Sequence, residues 1–345
     1  MLQEITEPAW IDAFESVLRR CALRTGDTLA VLCESQSRPI LPELARQAAA
    51  RIGCNVFTLQ LPSVFAAGRP AVRSTGASDV LQQIAPVVAA LAASTLVVDC
   101  TVEGLMHAAE LPAILKGGAR VLYVSNEHPE VLARLVPNDA LEPLVKEQIK
   151  RLRAARQKRV TSAAGTELSV SLAGATCGGN WGATARPGTI SHWPGGLVLA
   201  FPAAGSVNGT LVLNEGDVNL TFKRYLERPV RLVIENDFVT RIEGDGVDAE
   251  LMRSNWAAWG DRNAYAVSHL GWGLNPKARW DSMALYDKRD FNGTELRAFA
   301  GNFLYSTGAN EVAGRHTLGH FDLPLRHCTV TLDGATVVEQ GRVLA

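Results

Sequence analysis

Three potential metal-binding or proton-transfer groups crowd one short stretch of this chain, Gly314-Arg315-His316-Thr317-Leu318-Gly319-His320-Phe321-Asp322-Leu323-Pro324. In an extended backbone, His320 and Asp322 leave the same face two residues apart, so both can bind one ion while Phe321 anchors the opposite face. A further ligand would complete a set. His269 offers it, from Ser268-His269-Leu270-Gly271-Trp272-Gly273-Leu274-Asn275-Pro276, which reads as a Gly-rich loop following an apolar run. Two imidazoles and one carboxylate with open positions form the facial triad of non-haem Fe(II) oxygenases. An H-x-D tripeptide is also frequent by chance, so this spacing alone does not specify a metal site.

The rest of the chain must position these groups. Its 345 residues have room for two domains, at roughly 100 to 200 residues each. Hydrophobic residues at 47% and charged ones at 20% place it among globular proteins with an ample core. A formal net charge of -1 gives no global pull toward nucleic acid or anionic lipid, so a small-molecule substrate is the expected partner. The six cysteines are scattered without a C-x-x-C pair and read as reduced residues of a cytoplasmic protein. The N-terminal residues, from Met1-Leu2-Gln3-Glu4 onward, carry neither a basic nor an apolar leader segment, and no run of apolar residues is long enough to span a membrane.

Helix and strand signals alternate through the first part. Helices are expected over 8–20, 40–52 (closed by Gly53), 79–93 and 105–116, and strands over 28–33, 55–59, 96–100 and 120–124. Such alternation predicts a mainly parallel sheet covered by helices on both faces. No strand leads into a phosphate-binding glycine loop, so no nucleotide cofactor is assigned. Carboxyl ends of parallel strands are where open sheets bind ligands, which makes His107, after the third strand, a candidate to face a substrate. A basic amphipathic helix over 141–158 reads as a solvated inter-domain element rather than an RNA site, because no aromatic residues interleave its charges. Beyond Val160 short alternating runs with hairpin signals at Asn236-Asp237 and Asp333-Gly334 take over, and only 248–259 looks helical. The expected architecture is therefore α/β: an α/β domain over 1–155 and a mainly antiparallel β domain over 156–345 that holds the site.

Three segments of the second domain resemble the aminopeptidase T family of metallopeptidases: Pro194-Gly195-Gly196 running to Gly209, the His269 segment, and His320-Phe321-Asp322. The departures are informative. In those peptidases a Glu stands where Gly196 is, another where His269 is, and a His about where Leu304 falls, and these help hold two metal ions. The altered set, His269, His320 and Asp322, resembles instead the 2,5-dihydroxypyridine 5,6-dioxygenases of bacterial nicotinate breakdown, which share the peptidase fold. That likeness covers most of the chain. It implies one Fe2+ on the three residues, O2-dependent opening of the pyridine ring between C5 and C6 to N-formylmaleamate, and a homo-oligomer. It also implies that His107 and His192, in Ile190-Ser191-His192-Trp193-Pro194, lie near the substrate as proton-transfer or hydrogen-bonding groups. The rival reading is a metal-dependent aminopeptidase, followed by a non-catalytic small-molecule binder. The aromatic residues Trp256, Trp259, Tyr265, Trp272 and Trp280 either wall a flat ring or pack the core.

Overall fold

The first strand, Thr28–Glu34, is buried on both faces because its side chains alternate between two helical layers. Leu29, Val31 and Cys33 pack with helices Pro8–Arg20 and Ile40–Ile52, while Ala30 and Leu32 meet Leu91, Leu111 and Ile114 on the other side. This strand lies between Asn55–Leu61 and Leu96–Asp99, followed by Arg120–Tyr123, and every pairing is parallel. Gly53 caps Ile40–Ile52 in the left-handed conformation, φ 87°, as its position after the last apolar residue suggests. The computed structural model describes residues 5–64, 78–288 and 290–344, so the N-terminal Met1-Leu2-Gln3-Glu4 lies outside the described residues.

Two helices are shorter than the periodicity suggests. They span Ala85–Ala92 and Leu111–Lys116, each with a proline in its first turn. Proline lacks the N–H that an earlier turn would need to donate, so it suits a helix start and not an interior. The residues released from the second helix form the loop that carries His107.

Past residue 155 two antiparallel sheets stack face to face. One has eight strands and includes Gln157–Thr161, Glu167–Ser171, Val207–Leu213 and Val230–Glu235. The other, which carries the site, runs Phe321–Leu325, Phe303–Thr307, Val267–Gly273, Leu197–Phe201, Thr176–Asn180. Val160, Val170 and Leu232 from the first share one core with Val198, Leu270, Phe303 and Leu323 from the second. Both expected hairpins are present, with positive φ at Asn236 and Asp237 and at Asp333 and Gly334. The fold class is thus α/β, a parallel sheet with helices followed by antiparallel layers. The chain does return once to the first sheet, where Ile190–His192 adds a parallel edge strand beside Arg120–Tyr123.

The basic helix differs from expectation. It ends at Ala154 and buries Leu141, Val145, Gln148 and Leu152 against the second core rather than standing free in solvent. Lys158 belongs to the following strand and is wholly buried. The helix expected over 248–259 spans Val247–Ala258, and a short helix, Thr294–Ala298, also occurs in this half. Among the described residues no helix is long and apolar enough to cross a membrane.

Candidate metal centre

His269 lies within a strand, Val267–Gly273, not in a loop. The glycines that suggested a loop serve close packing instead. A Cβ at Gly271 would sit 1.8 Å from the Val198 carbonyl oxygen, and one at Gly273 would sit 2.1 Å from that of Phe299. His320 immediately precedes the strand Phe321–Leu325, in which Asp322 pairs with Ser306 of the neighbouring strand. The sheet so brings one ligand atom from each of His269, His320 and Asp322 within 4.8 Å of the others. His320 Nε2 lies 3.2 Å and His269 Nε2 3.7 Å from Asp322 Oδ1.

Neighbouring groups fix each member. The Ser268 hydroxyl gives its only hydrogen to the Ala309 carbonyl, so at 3.0 Å from His269 Nδ1 it must accept from that ring. The proton is thereby assigned to Nδ1, leaving the Nε2 lone pair facing the cluster, which is the usual arrangement behind a metal-ligating imidazole. Burial holds His269 well below the ordinary imidazole range, so the ring is neutral at neutral pH. Burial alone would raise the Asp322 carboxyl. Arg297, whose Nε donates to Oδ2 at 2.6 Å, and His320 instead hold it well below the usual carboxylate range, and Ser306 donates to its Oδ1. His320 Nδ1 is buried without a hydrogen-bond partner among the described residues.

His107 reaches this cluster from the parallel sheet. Its ring centroid is 5.4 Å from that of His320 and 6.2 Å from that of His269. The loop that carries it starts at the carboxyl end of Leu96–Asp99, where the Asp99 carboxylate accepts from the Thr101 N–H and hydroxyl and from the Leu105 N–H. Glu34 accepts from the Val102 N–H, and Tyr123 and Ser125 donate to the carbonyls of Glu103 and Val102. Gly104 is required here: its φ is 79°, and a Cβ would lie 1.7 Å from the Tyr123 ring. His192 is buried on the edge strand, with Nδ1 2.7 Å from the Pro194 carbonyl, to which it donates; this leaves Nε2 as an acceptor. Burial pushes His107 down to about 3 and His192 down to about 4, so both imidazoles are neutral near pH 7.

Sequence reasoning missed the groups that hold the carboxylate. Arg297 sits on Thr294–Ala298, a helix seated against the chain that follows Arg120–Tyr123: Glu127 accepts from the Gly293 and Thr294 N–H groups, and Arg134 binds both oxygens of Glu295 at 2.7 Å. Asn292 donates to Ser125 at 2.6 Å and accepts from Arg297 at 3.3 Å, so a side-chain path joins the parallel sheet to Asp322. No local signal marks such long-range partners, whereas Ser268 is visible as the neighbour of His269. The tryptophans are placed differently from a pocket wall. Trp256 and Trp272 are core residues, Trp259 and Tyr265 pack at the rim of the same core, and Trp280 lies in a separate cluster with Tyr225. Phe201 is the ring beside the cluster, 5.2 Å from His269.

A second metal has no ligands where the peptidase pattern would need them. Gly196 has φ 113°, and a Cβ there would sit 2.6 Å from the Asn275 Cβ, while Leu304 is an apolar core residue. Among the described residues, His269, His320 and Asp322 are the one group with metal-ligand proximity.

The family model for 2,5-dihydroxypyridine 5,6-dioxygenase (NicX) matches residues 9–345. The chain belongs to the 2,5-dihydroxypyridine 5,6-dioxygenase family. It is 38% identical over 339 residues to the 2,5-dihydroxypyridine 5,6-dioxygenase of Pseudomonas putida KT2440, a match that spans 96% of this chain and 95% of that one. The solved structure of the dioxygenase from that organism superposes with a TM-score of 0.92 at 36% identity, covering 99% of each chain. AmpT from Thermus thermophilus shares the fold at a TM-score of 0.67, over 98% of this chain and 99% of that one. At 14% identity that second likeness speaks for architecture alone. The dioxygenase family thus rests on an aminopeptidase T-like scaffold, as the segment resemblances imply.

Proposed function

We propose that this chain is an Fe(II)-dependent, extradiol-like dioxygenase that adds O2 across C5–C6 of 2,5-dihydroxypyridine to give N-formylmaleamate. The observation that carries this reading is the donor set itself: a neutral imidazole with its Nε2 lone pair presented, a second imidazole and an ionised carboxylate, within 4.8 Å of one another. Two nitrogens and one oxygen leaving positions open suit Fe(II). His269, His320 and Asp322 would hold the ion. When bound, it would supply Lewis acidity toward a substrate hydroxyl and redox chemistry toward O2.

The residues of the chain do the rest. His107, beside the cluster and neutral near pH 7, takes the hydroxyl proton of the arriving substrate. The same imidazole then returns the proton as the ring opens. His192 holds the heterocycle through Nε2, its other nitrogen being committed to Pro194. Phe201 offers an apolar face beside His269 that excludes water. A cytoplasmic setting belongs to the same reading, supported by six cysteines that are all unpaired.

Oxygen uptake tests it. Anaerobically iron-loaded protein should consume one O2 per 2,5-dihydroxypyridine, and His107→Ala should keep its iron yet lose about 10²-fold or more in kcat, the usual size of a lost acid–base group. Robust peptide hydrolysis with Zn2+ and no O2 consumption would assign the chain to the aminopeptidase reading. Unchanged turnover in His107→Ala would remove that residue from the mechanism.

A further inference from the structure

The strand that carries His269 leaves its ladder at that residue. Against Phe303–Thr307 the pairing steps from Val267 with Thr307 to Leu270 with Tyr305, so Ser268 and His269 occupy a bulge. A bulge re-aims a side chain and leaves backbone groups without ladder partners. Here the carbonyls on either side of the bulge both accept from buried cations. Arg315 Nη2 donates to the Val267 oxygen and Lys158 Nζ to the Leu270 oxygen, each at 3.0 Å.

The two cations are not equivalent. Arg315 has a counter-ion, Asp237, at 2.9 Å. Lys158 reaches across from the facing eight-stranded sheet, is 0% exposed, and is paired with no carboxylate among the described residues. Its ammonium meets the Leu270 carbonyl and, 5.4 Å from the ring centroid, the face of Trp272. A wholly buried cation without a counter-ion is unfavourable by desolvation, and burial pushes Lys158 down to about 7. An apolar side chain would fill this position in a core of Val160, Val170 and Leu270 with no such penalty. Besides its approach to Trp272, what the ammonium adds is one hydrogen bond, and that bond lands on the carbonyl of the residue after His269.

We propose that Lys158 is a positioning residue for the metal centre, holding the bulge from behind so that His269 keeps Nδ1–H on Ser268 and Nε2 toward Asp322. The proposal rests on His269 being a ligand and extends that reading to the opposite sheet. Two variants test it, Lys158→Met, which keeps the apolar stem and removes the donor, and Lys158→Arg, which keeps a donor. Cobalt(II) alone is titrated into each metal-free chain and followed by its visible absorption, and the ring nitrogens of His269 are recorded by ¹⁵N NMR before metal is added.

Lys158→Met should retain the parental near-UV circular dichroism, bind cobalt(II) about 10- to 100-fold more weakly, the usual cost of losing an outer-shell partner, and lose the single Nδ1–H tautomer. Lys158→Arg should stay within a few-fold of the parent and keep the tautomer. The proposal falls if Lys158→Met binds as the parent does with parental His269 signals, if both variants lose affinity equally, or if Lys158→Met does not fold, which would make Lys158 a residue of the fold. A parent chain that binds no cobalt(II) would refute the metal reading, and the ring-nitrogen comparison, made without metal, then decides the positioning claim by itself.

Discussion

His320→Ala is expected to give a folded chain that holds no iron and has no measurable ring-opening activity. Its side chain is the least entangled of the three: Nδ1 has no partner among the described residues, and Nε2 faces Asp322 Oδ1 at 3.2 Å. Truncation removes a donor from the cluster without orphaning a charge. Losing an outer-shell partner of a ligand already costs 10- to 100-fold in metal affinity, so losing the ligand itself should cost more than about 100-fold. Metal content after desalting, measured with a thermal melt on the same sample, separates the two effects. Parental activity in this variant would remove His320 from the site.

Asp322→Asn should fail in a different way, losing both metal and stability. The carboxylate is the counter-ion of Arg297, at 2.6 Å, in a place where the two side chains are only 4% and 12% exposed. Neutralising Asp322 removes the carboxylate that Arg297 Nε meets at 2.6 Å, and breaking a buried pair of this kind costs roughly 3–5 kcal/mol. For a chain of this length such a loss lowers the melting temperature by several degrees. Chemical denaturation of the metal-free parent and variant checks the figure, because the ion pair with Arg297 exists without metal. Equal stability would mean that Arg297 finds its compensation elsewhere and that the carboxylate is held by something other than this pair.

Much of the site was legible because its ligands obey local rules. His320 and Asp322 announce themselves by the two-residue period of a strand, and the parallel half by helix and strand signals that tertiary packing did not override. Where sequence and structure part, glycine and charge mimic exposure. Gly271 and Gly273 are glycines because neighbouring backbone approaches to within about the space of a Cβ, so the strand around His269 looked like a loop. Lys158 continues a run of basic residues and so reads as the end of a helix, whereas its alternation with Gln157 and Arg159 puts it on the inner face of a strand. Arg297, Asn292 and Ser125 were out of reach altogether. They meet across the two sheets, and a helix of five residues has too little length to show a period.

The most direct measurement is anomalous diffraction at the iron edge from a crystal of the chain grown anaerobically with Fe(II). The account expects a single peak per chain, within bonding distance of His269 Nε2, His320 Nε2 and an Asp322 oxygen, with no second peak beside Gly196 or Leu304. Two peaks in that cleft, or one peak bound elsewhere while His269, His320 and Asp322 contact only each other, would contradict it.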